Sequence, residues 1–145
     1  MRPIRKRLAV HWWKKAANAG VVEAQDCLAL SYDNGDGVRR DRRKARRWWE
    51  RAAARGSAQA QVNLGVACAL GKGGPRNRAR ANRLYLRSAT GGNTAAMRNL
   101  GVVYRDGLGV RKDPRRAFWW LKKSAGLGND DAGTVIRDLL RDDLR

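Results

Sequence analysis

The sequence is poor in the residues that enzymes and metal sites depend on. Among its 145 residues are one histidine, two cysteines and 13 acidic residues. His11 has no carboxylate, cysteine or second histidine at ligand spacing, so we predict no catalytic centre, no cofactor and no metal site. Cys27 and Cys68 lack the spacing of a zinc site or a disulfide framework, and we expect both to be buried thiols.

Long apolar runs are also absent from the sequence. No stretch approaches the roughly 20 apolar residues that span a bilayer. The apolar part of the N-terminus ends at Lys14, which is too short for a signal peptide. We therefore predict no membrane span and a cytoplasmic location, unless a leader has been removed from the chain.

What the sequence does contain is a 36-residue period. Small residues recur with it at three positions: Ala9, Ala45, Ala81 and Ala117; Gly20, Gly56, Gly92 and Gly128; Ala24, Ala60, Ala96 and Ala132. Pairs of glycines keep the same step at 35 and 37, 71 and 73, and 107 and 109. So many positions agreeing on one period indicate a repeat protein.

Each period predicts two helices of about 13 residues, which we call the first and the second helix. The first carries a buried stripe such as Ala24-Leu28-Tyr32, and the second a stripe such as Ala45-Trp48-Trp49-Ala52. Predicted N-caps precede the helices at Asp41, Ser57, Asn77, Asn93, Asp113 and Asn129. Neither helix can bury its stripe alone, so the pairs must stack into an all-α solenoid.

Two segments carry a family resemblance. Residues 32–56, YDNGDGVRRDRRKARRWWERAAARG, and residues 104–128, YRDGLGVRKDPRRAFWWLKKSAGLG, resemble the Sel-one-like repeat (SLR) family, a relative of the tetratricopeptide repeat. The resemblance implies an α/α right-handed superhelix of helix-turn-helix repeats. It also implies a non-catalytic adaptor or scaffold that binds other proteins. Bacterial members include regulatory proteins and immunity partners of toxins. The middle unit departs from the pattern, with GKGGPRN at residues 71–77.

We predict one solenoid domain over residues 1–145. It comprises an unpaired N-terminal helix at 3–18, repeats at about 21–56, 57–92 and 93–128, and a C-terminal capping helix at 130–143. The unpaired helix leaves two alternatives open, a fragment of a longer array or a homo-oligomer formed through that helix.

The resemblance places the first helices along a concave groove that binds a segment of a partner protein. The predicted groove residues are Glu23, Asp26, Leu30, Gln59, Val62, Val66, Arg98, Val102 and Arg105. They run from acidic through apolar to basic, a gradient that suits an extended or helical partner with an apolar anchor. The alternative for the valines is packing between repeats.

Positive charge predicts a second surface. Lys and Arg number 32, giving a net charge of +19, yet the first helices with residues 129–145 hold five basic and nine acidic residues. The excess therefore belongs to the second helices and their preceding loops, where stacking would align a basic band. Its members are Arg39, Arg40, Arg42, Arg43, Arg46, Arg47, Arg76, Arg78, Arg80, Arg83, Arg111, Lys112, Arg115 and Arg116. As the alternative function, such a band would bind nucleic acid or another acidic surface.

Six tryptophans accompany the arginines. Trp12, Trp13, Trp48 and Trp49 stand at core positions of the family, so we expect them to fill space between repeats rather than to stack on bases. Trp119 lies one residue off the pattern and is the predicted exposed aromatic.

Overall fold

The structure, a computed structural model, describes residues 3–143 and contains helices but no strand among them. In chain order the eight helices of these residues are α1 (Pro3–Asn18), α2 (Val22–Asn34), α3 (Arg42–Ala54), α4 (Ala58–Leu70), α5 (Arg78–Thr90), α6 (Thr94–Asp106), α7 (Pro114–Gly126) and α8 (Asp130–Asp143). The all-α, helix-turn-helix prediction is confirmed. None of these helices is both long enough and apolar enough to cross a bilayer.

Side-chain caps start most of the helices, as the sequence predicts. The Asp41 carboxylate accepts a hydrogen bond from the Lys44 N–H at 3.0 Å, and the Ser57 hydroxyl accepts one from the Ala60 N–H at 3.0 Å. The same bond recurs at the pairs Asn93–Ala96, Asp113–Arg116 and Asn129–Ala132. Each cap satisfies a backbone donor that the first turn of a helix leaves unpaired.

The described chain divides between Asn77 and Arg78 into two compact units. The N-terminal unit contains α1 to α4 and the C-terminal unit contains α5 to α8, and consecutive helices pack on each other within each unit. The boundary falls inside the predicted second repeat, and a single domain over the whole chain stays a prediction.

Buried amides fix the packing of the N-terminal unit. The Gln25 side chain of α2 donates to the Ala17 carbonyl of α1 at 3.1 Å, and Gln61 of α4 donates to Ala53 of α3 at 3.4 Å. These glutamines are 36 residues apart, so α2 contacts α1 in the same way as α4 contacts α3. Between these bonds lie fully buried apolar side chains, of which Leu28 is an example.

Helices α6 and α7 of the C-terminal unit pack closely because Gly101 has no side chain. A Cβ on Gly101 of α6 would lie 2.4 Å from Cγ of Leu121 in α7, so the two helices approach at a distance that only glycine permits. The Ser124 hydroxyl of α7 donates to the Thr94 carbonyl at 2.8 Å in the same interface. Beyond it, α7 and α8 share a core of Ala117, Leu121, Ala132 and Leu139.

The second glycine of each turn between a first and a second helix contacts the preceding second helix. A Cβ on Gly37 would lie 2.5 Å from the Lys6 carbonyl oxygen, and one on Gly73 would lie 2.2 Å from the Arg42 carbonyl oxygen. Both glycines adopt a left-handed conformation, with φ of +71° and +69°. In the C-terminal unit a Cβ on Gly109 would lie 2.9 Å from the Cβ of Arg78, so this glycine contacts the side chain of the corresponding residue more closely than its backbone. These positions therefore exclude a side chain both by conformation and by lack of space.

Replacing Gly73 by alanine should destabilise the protein more than replacing Gly56. Gly56 also has a positive φ, of +90°, but a Cβ there would meet nothing within 4 Å. We expect Gly56→Ala to lower the free energy of unfolding by about 1–2 kcal/mol through backbone strain alone. Gly73→Ala adds a collision with the Arg42 backbone and should lower it by at least about 1 kcal/mol more.

Urea denaturation of the two variants, followed by circular dichroism, measures this difference. Equal midpoints for Gly73→Ala and Gly56→Ala would show that the turn has no tight backbone contact.

Candidate partner-binding surfaces

An apolar pocket opens between α1 and α2 in the N-terminal unit. Trp13, Cys27 and Leu30 line it on the apolar side, and its volume is 270 Å³. Leu30 is 41% exposed, so it is accessible to a partner. The polar lining consists of Lys6, Ser31, Asn34 and Asp36. Ligand pockets usually have volumes of about 300–1,000 Å³, so this pocket suits one apolar side chain better than a whole cofactor.

Lys6 and Asp36 form an ion pair at the polar side of this pocket. The Lys6 ammonium lies 3.3 Å from the Asp36 carboxylate, and the pair connects α1 to the turn after α2. Both side chains are substantially exposed, so the pair contributes little to stability and can be replaced by contacts with a partner.

Asp26 presents an incompletely bonded carboxylate on α2. Its Oδ2 accepts a hydrogen bond from the Ser57 hydroxyl at 2.7 Å, while its buried Oδ1 has no hydrogen-bond partner among the described residues. Burial raises the pKa of Asp26; the Ser57 hydrogen bond lowers it, and Glu23 raises it further. Leaving this buried acceptor without a hydrogen bond is unfavourable.

The predicted groove residues differ in exposure. Exposed members are Glu23, Leu30 and Gln59, and half-buried members are Asp26, Val66, Arg98, Val102 and Arg105. Val62 is only 3% exposed, so the prediction that it lines an accessible groove is wrong. The reason lies in α4, which has no charged residue and buries more than the single stripe that the sequence predicts.

Arg105 in the C-terminal unit is bound to its own neighbour. Its Nε and Nη2 donate to the two carboxylate oxygens of Asp106 at 2.9 and 3.0 Å. This bidentate bond holds the pKa of Asp106 below its usual range. Arg105 therefore offers a partner less net charge than the sequence alone indicates.

Most of the predicted basic band is accessible. Twelve of its fourteen residues are exposed, and Arg80 is half-buried. Seven members belong to each of the two units, so each unit presents its own basic surface. Two exposed members lie near carboxylates, with Arg42 at 3.8 Å from Asp33 and Arg116 at 3.5 Å from Asp113.

Arg46 is the exception, and its assignment to the accessible band is wrong. It is 8% exposed, and its guanidinium donates to the Lys72 and Pro75 carbonyls at 3.3 and 3.2 Å and to Cys68 Sγ at 3.3 Å. These bonds satisfy carbonyls of the turn at residues 71–77, so Arg46 supports this turn from inside the N-terminal unit. The predicted buried thiol is confirmed for Cys68, whereas Cys27 is half-buried.

Gly74 explains how Arg46 fits. A Cβ on Gly74 would lie 2.7 Å from Nη1 of Arg46, so the guanidinium occupies the space that a side chain at position 74 would need. The corresponding residues of the flanking turns are Val38 and Val110, and the residues corresponding to Arg46 are Val10 and Asn82. The middle turn therefore departs from the pattern through a paired change, in which a larger residue at 46 accompanies a smaller one at 74.

The tryptophans differ widely in exposure. Trp49 is 5% exposed, Trp13 and Trp48 are half-buried, and Trp119 is 56% exposed, as predicted. Trp12 is 61% exposed, so its predicted core position is wrong. Among the described helices α1 packs on α2 alone, whereas α3 packs on α2 and α4, which accounts for the difference from Trp48.

The repeat geometry agrees with a comparison against protein-family models. The Sel1 repeat model matches residues 6–21, 22–57, 58–93 and 94–129. The chain belongs to the Sel1 repeat family. The resemblance noted in the sequence is thereby confirmed, and members of this family generally mediate protein–protein interaction as scaffolds that are typically non-catalytic.

Solved bacterial structures share the Sel1 repeat architecture. A protective antigen of uropathogenic Escherichia coli strains that displays an SLR fold is 34% identical, with a TM-score of 0.81 over 85% of this chain and 26% of that chain. A Sel1 repeat protein from Oxalobacter formigenes is 34% identical, with a TM-score of 0.79 over 87% of this chain and 52% of that chain. This chain thus spans about a quarter of the Escherichia coli protein and about half of the Oxalobacter formigenes protein.

A third structure shows the fold alone. Helicobacter pylori cysteine rich protein B is 24% identical, with a TM-score of 0.57 over 60% of this chain and 65% of that chain. A search of the curated proteins found no match. Together with the family model, these structures confirm the solenoid class of tetratricopeptide-like repeats.

Sequence reasoning found only part of the pocket in this Sel1 repeat chain. It named Leu30 but neither Trp13 nor Cys27, because the period assigns Trp13 to the core and treats Cys27 as a structural thiol. Cys27 precedes Leu30 by three residues on one helix, so the helical spacing contained the signal. Trp13 lies on a different helix, and only the packing of α1 on α2 places it beside Leu30.

A double-mutant cycle tests the pairing of Arg46 and Gly74. Gly74→Val places a side chain on the guanidinium and should cost about 1–3 kcal/mol of stability. Arg46→Val leaves the Lys72 and Pro75 carbonyls without their donor and should also cost about 1–3 kcal/mol. The double variant removes the collision, so we expect it to be more stable than the sum of the single effects by at least about 0.5 kcal/mol.

Thermal and urea unfolding of the unmodified protein, the two single variants and the double variant give the coupling free energy between positions 46 and 74. Gly74→Ala provides a milder control, since it introduces only the Cβ. Strict additivity of the two single changes would contradict the direct contact.

Proposed function

We propose that this Sel1 repeat chain is a non-catalytic adaptor that binds a segment of a partner protein along its first helices. The observation that carries the proposal is the pocket between α1 and α2, in which exposed Leu30 lies beside Trp13. An apolar side chain of a partner would enter this pocket and lose contact with water, which favours binding by about 1.5–3 kcal/mol for a fully buried residue.

Acidic residues around the pocket specify the charge of the partner segment. Glu23 is exposed, Asp26 is half-buried, and Asp36 lines the pocket itself. Lysine or arginine beside the apolar anchor would complement these groups and orient the segment. The partner of the N-terminal unit is therefore a peptide segment with one apolar anchor flanked by basic residues.

The predicted groove residues of the C-terminal unit extend this proposal. Arg98 and Val102 are half-buried on α6, and in this unit they would contact an apolar or acidic segment of a partner protein. Because the solved neighbours are bacterial, the class of protein that we propose is a bacterial regulatory or toxin-immunity type adaptor. A cytoplasmic location stays a prediction from the sequence.

Selection from a random peptide library tests the pocket. We expect peptides with an apolar residue next to Lys or Arg to be enriched, and Leu30→Glu to weaken their binding by about tenfold or more, since a charge in the pocket opposes burial of the anchor. Isothermal titration calorimetry of one selected peptide measures the effect.

Leu86→Glu is the matched control, because Leu86 is 51% exposed on α5 and is not among the residues that line the pocket. It should leave the affinity unchanged. Peptide binding that survives Leu30→Glu at full strength would refute the assignment of this pocket.

The second candidate function is binding of nucleic acid by the basic surfaces. It is favoured by the twelve exposed basic residues of the band and the net charge of +19. Binding of this kind weakens as salt increases, because bound phosphates release their counterions.

Fluorescence anisotropy with a random-sequence duplex, measured against salt concentration, tests this candidate. Arg39→Ala combined with Arg40→Ala and Arg43→Ala should reduce the slope of log K against log salt by about 0.9 for each phosphate contact removed. The matched control is Arg46→Ala, which removes one buried charge and should leave the slope unchanged. Absence of binding at about 150 mM salt would reject this candidate.

A further inference from the structure

Helix α1 carries an apolar stripe that the other second helices lack. Ile4, Leu8 and Trp12 are spaced by four residues and are 72%, 55% and 61% exposed. One period along the chain, the residues corresponding to Ile4 and Leu8 are Arg40 and Lys44. In the later periods the corresponding residues are Arg76 and Arg80, then Lys112 and Arg116. Apolar residues thus stand on α1 where every later repeat has a cation, either in the second helix or in the turn just before it.

In the first and third repeats, the residue at the Leu8 position covers an aromatic ring of the preceding first helix, whereas the middle repeat has Cys68 in place of the ring. The ammonium of Lys44 lies over the Tyr32 ring at 5.5 Å, and the guanidinium of Arg116 lies over the Tyr104 ring at 5.7 Å. Leu8 is the residue of α1 that corresponds to Lys44 and Arg116. Among the described helices none precedes α1, so Leu8 has no such ring to cover.

Helix α8 presents the reciprocal position. Leu140 corresponds to Tyr32 and Tyr104 by the 36-residue period, and it is 49% exposed, whereas Tyr32 is 6% exposed. On the side facing α7, Leu140 lines a cavity with Phe118 and Pro114. No described helix follows α8 to cover its other side. The four positions in this register are Tyr32, Cys68, Tyr104 and Leu140, and only Leu140 has no second helix after it among the described helices.

The two helices also carry opposite charge. Residues 3–18 contain five basic and no acidic residues, and residues 130–143 contain five acidic and two basic residues. In the first and third repeats a cation meets an aromatic ring at this interface. Between α8 and α1, leucine would meet leucine, with opposite charges around the contact. The exposed leucines, the opposite charges of the two helices and the 36-residue register therefore all favour the pairing of α1 with α8.

We propose that the chain associates head to tail, with α1 of one copy docking on α8 of the next as α7 docks on α6 within the chain. Leu8 of one copy contacts Leu140 of its neighbour, and this contact replaces the cation over the ring. The two surfaces are different, so the interface is heterologous and each copy can bind two others. This interface shares Trp13 with the peptide pocket of the proposed function, but Leu8 and Leu140, the residues varied in its test, do not line that pocket.

One residue must move for this docking to occur. Arg137 occupies the position that corresponds to Gly101, which lies against Leu121, and Trp13 of the next copy would correspond to Leu121. Arg137 is exposed and contacts Thr134 at 3.4 Å, so its long side chain can turn away from the interface. The planar guanidinium would then stack on the indole of Trp13.

Sedimentation and light scattering over a range of concentrations test the proposal with two variants. We expect the average mass of the unmodified chain to rise with concentration above the 16.2 kDa of one copy, and less so in high salt. Leu8→Glu and Leu140→Glu should each remain at 16.2 kDa, because either change places a charge in the apolar contact. Leu70→Glu, at a residue 62% exposed on α4, should assemble like the unmodified chain.

Mixing the two variants distinguishes head-to-tail association from other arrangements. Leu140→Glu retains a normal α1 and Leu8→Glu retains a normal α8, so an equimolar mixture should form a dimer of about twice 16.2 kDa and nothing larger. Circular dichroism confirms that each variant is folded. If either is not, Leu8→Lys, which introduces the residue found at position 44, and Leu140→Gln take their place.

Three results would overturn the proposal. The first is a monomeric unmodified chain at every concentration, which would leave the two surfaces to a different partner. The second is a Leu140→Glu variant that assembles normally while Leu8→Glu does not, which would indicate a symmetric contact between two α1 helices. The third is a mixture of the two variants that stays monomeric.

Discussion

The contact between a turn glycine and the backbone of the preceding second helix is the constraint on which the repeat depends. Gly37 and Gly73 lie so close to carbonyl oxygens of that helix that a Cβ at either position would collide with them. Both glycines also adopt the left-handed conformation. The contact sets the turn between the two helices of a repeat and, at the same time, the distance to the previous repeat. The pocket beside Leu30 follows from it, because the turn that carries Gly37 also carries Asp36 and meets Lys6 of α1.

Much of the fold was predictable because it rests on local chemistry that recurs every 36 residues. The caps at Asp41 and Ser57 are examples, since an N-cap acts on a backbone donor three residues away. The errors concern residues whose environment depends on other helices. Trp12 and Trp48 occupy equivalent positions in the repeat, but α1 packs on one described helix and α3 on two. The 36-residue period does not contain this information. Arg46 joins an arginine cluster in the sequence, but its bonds go to a turn some 26 to 29 residues away.

Basic residues have several physical roles in this chain, and net charge alone does not separate them. Arg46 satisfies carbonyls inside the N-terminal unit, Lys44 covers an aromatic ring, and Arg105 is held by Asp106. What remains available to a partner is the exposed part of the band, while the pocket between α1 and α2 is apolar with acidic neighbours. The sequence predicted Leu30 of α2 as a site residue, whereas the contribution of Trp13 depends on the packing of α1 on α2.

The turn glycines have a consequence for how the chain folds. Gly37 contacts Lys6, Gly73 contacts Arg42 and Gly109 contacts Arg78, and in each case the two residues are 31 positions apart. The tertiary contacts that define a repeat are thus always made over the same short stretch of chain. Adding further 36-residue repeats would lengthen the protein without lengthening these loops, so relative contact order would fall as the array grows. Folding speed would then be set by the closure of one such loop and not by the length of the chain.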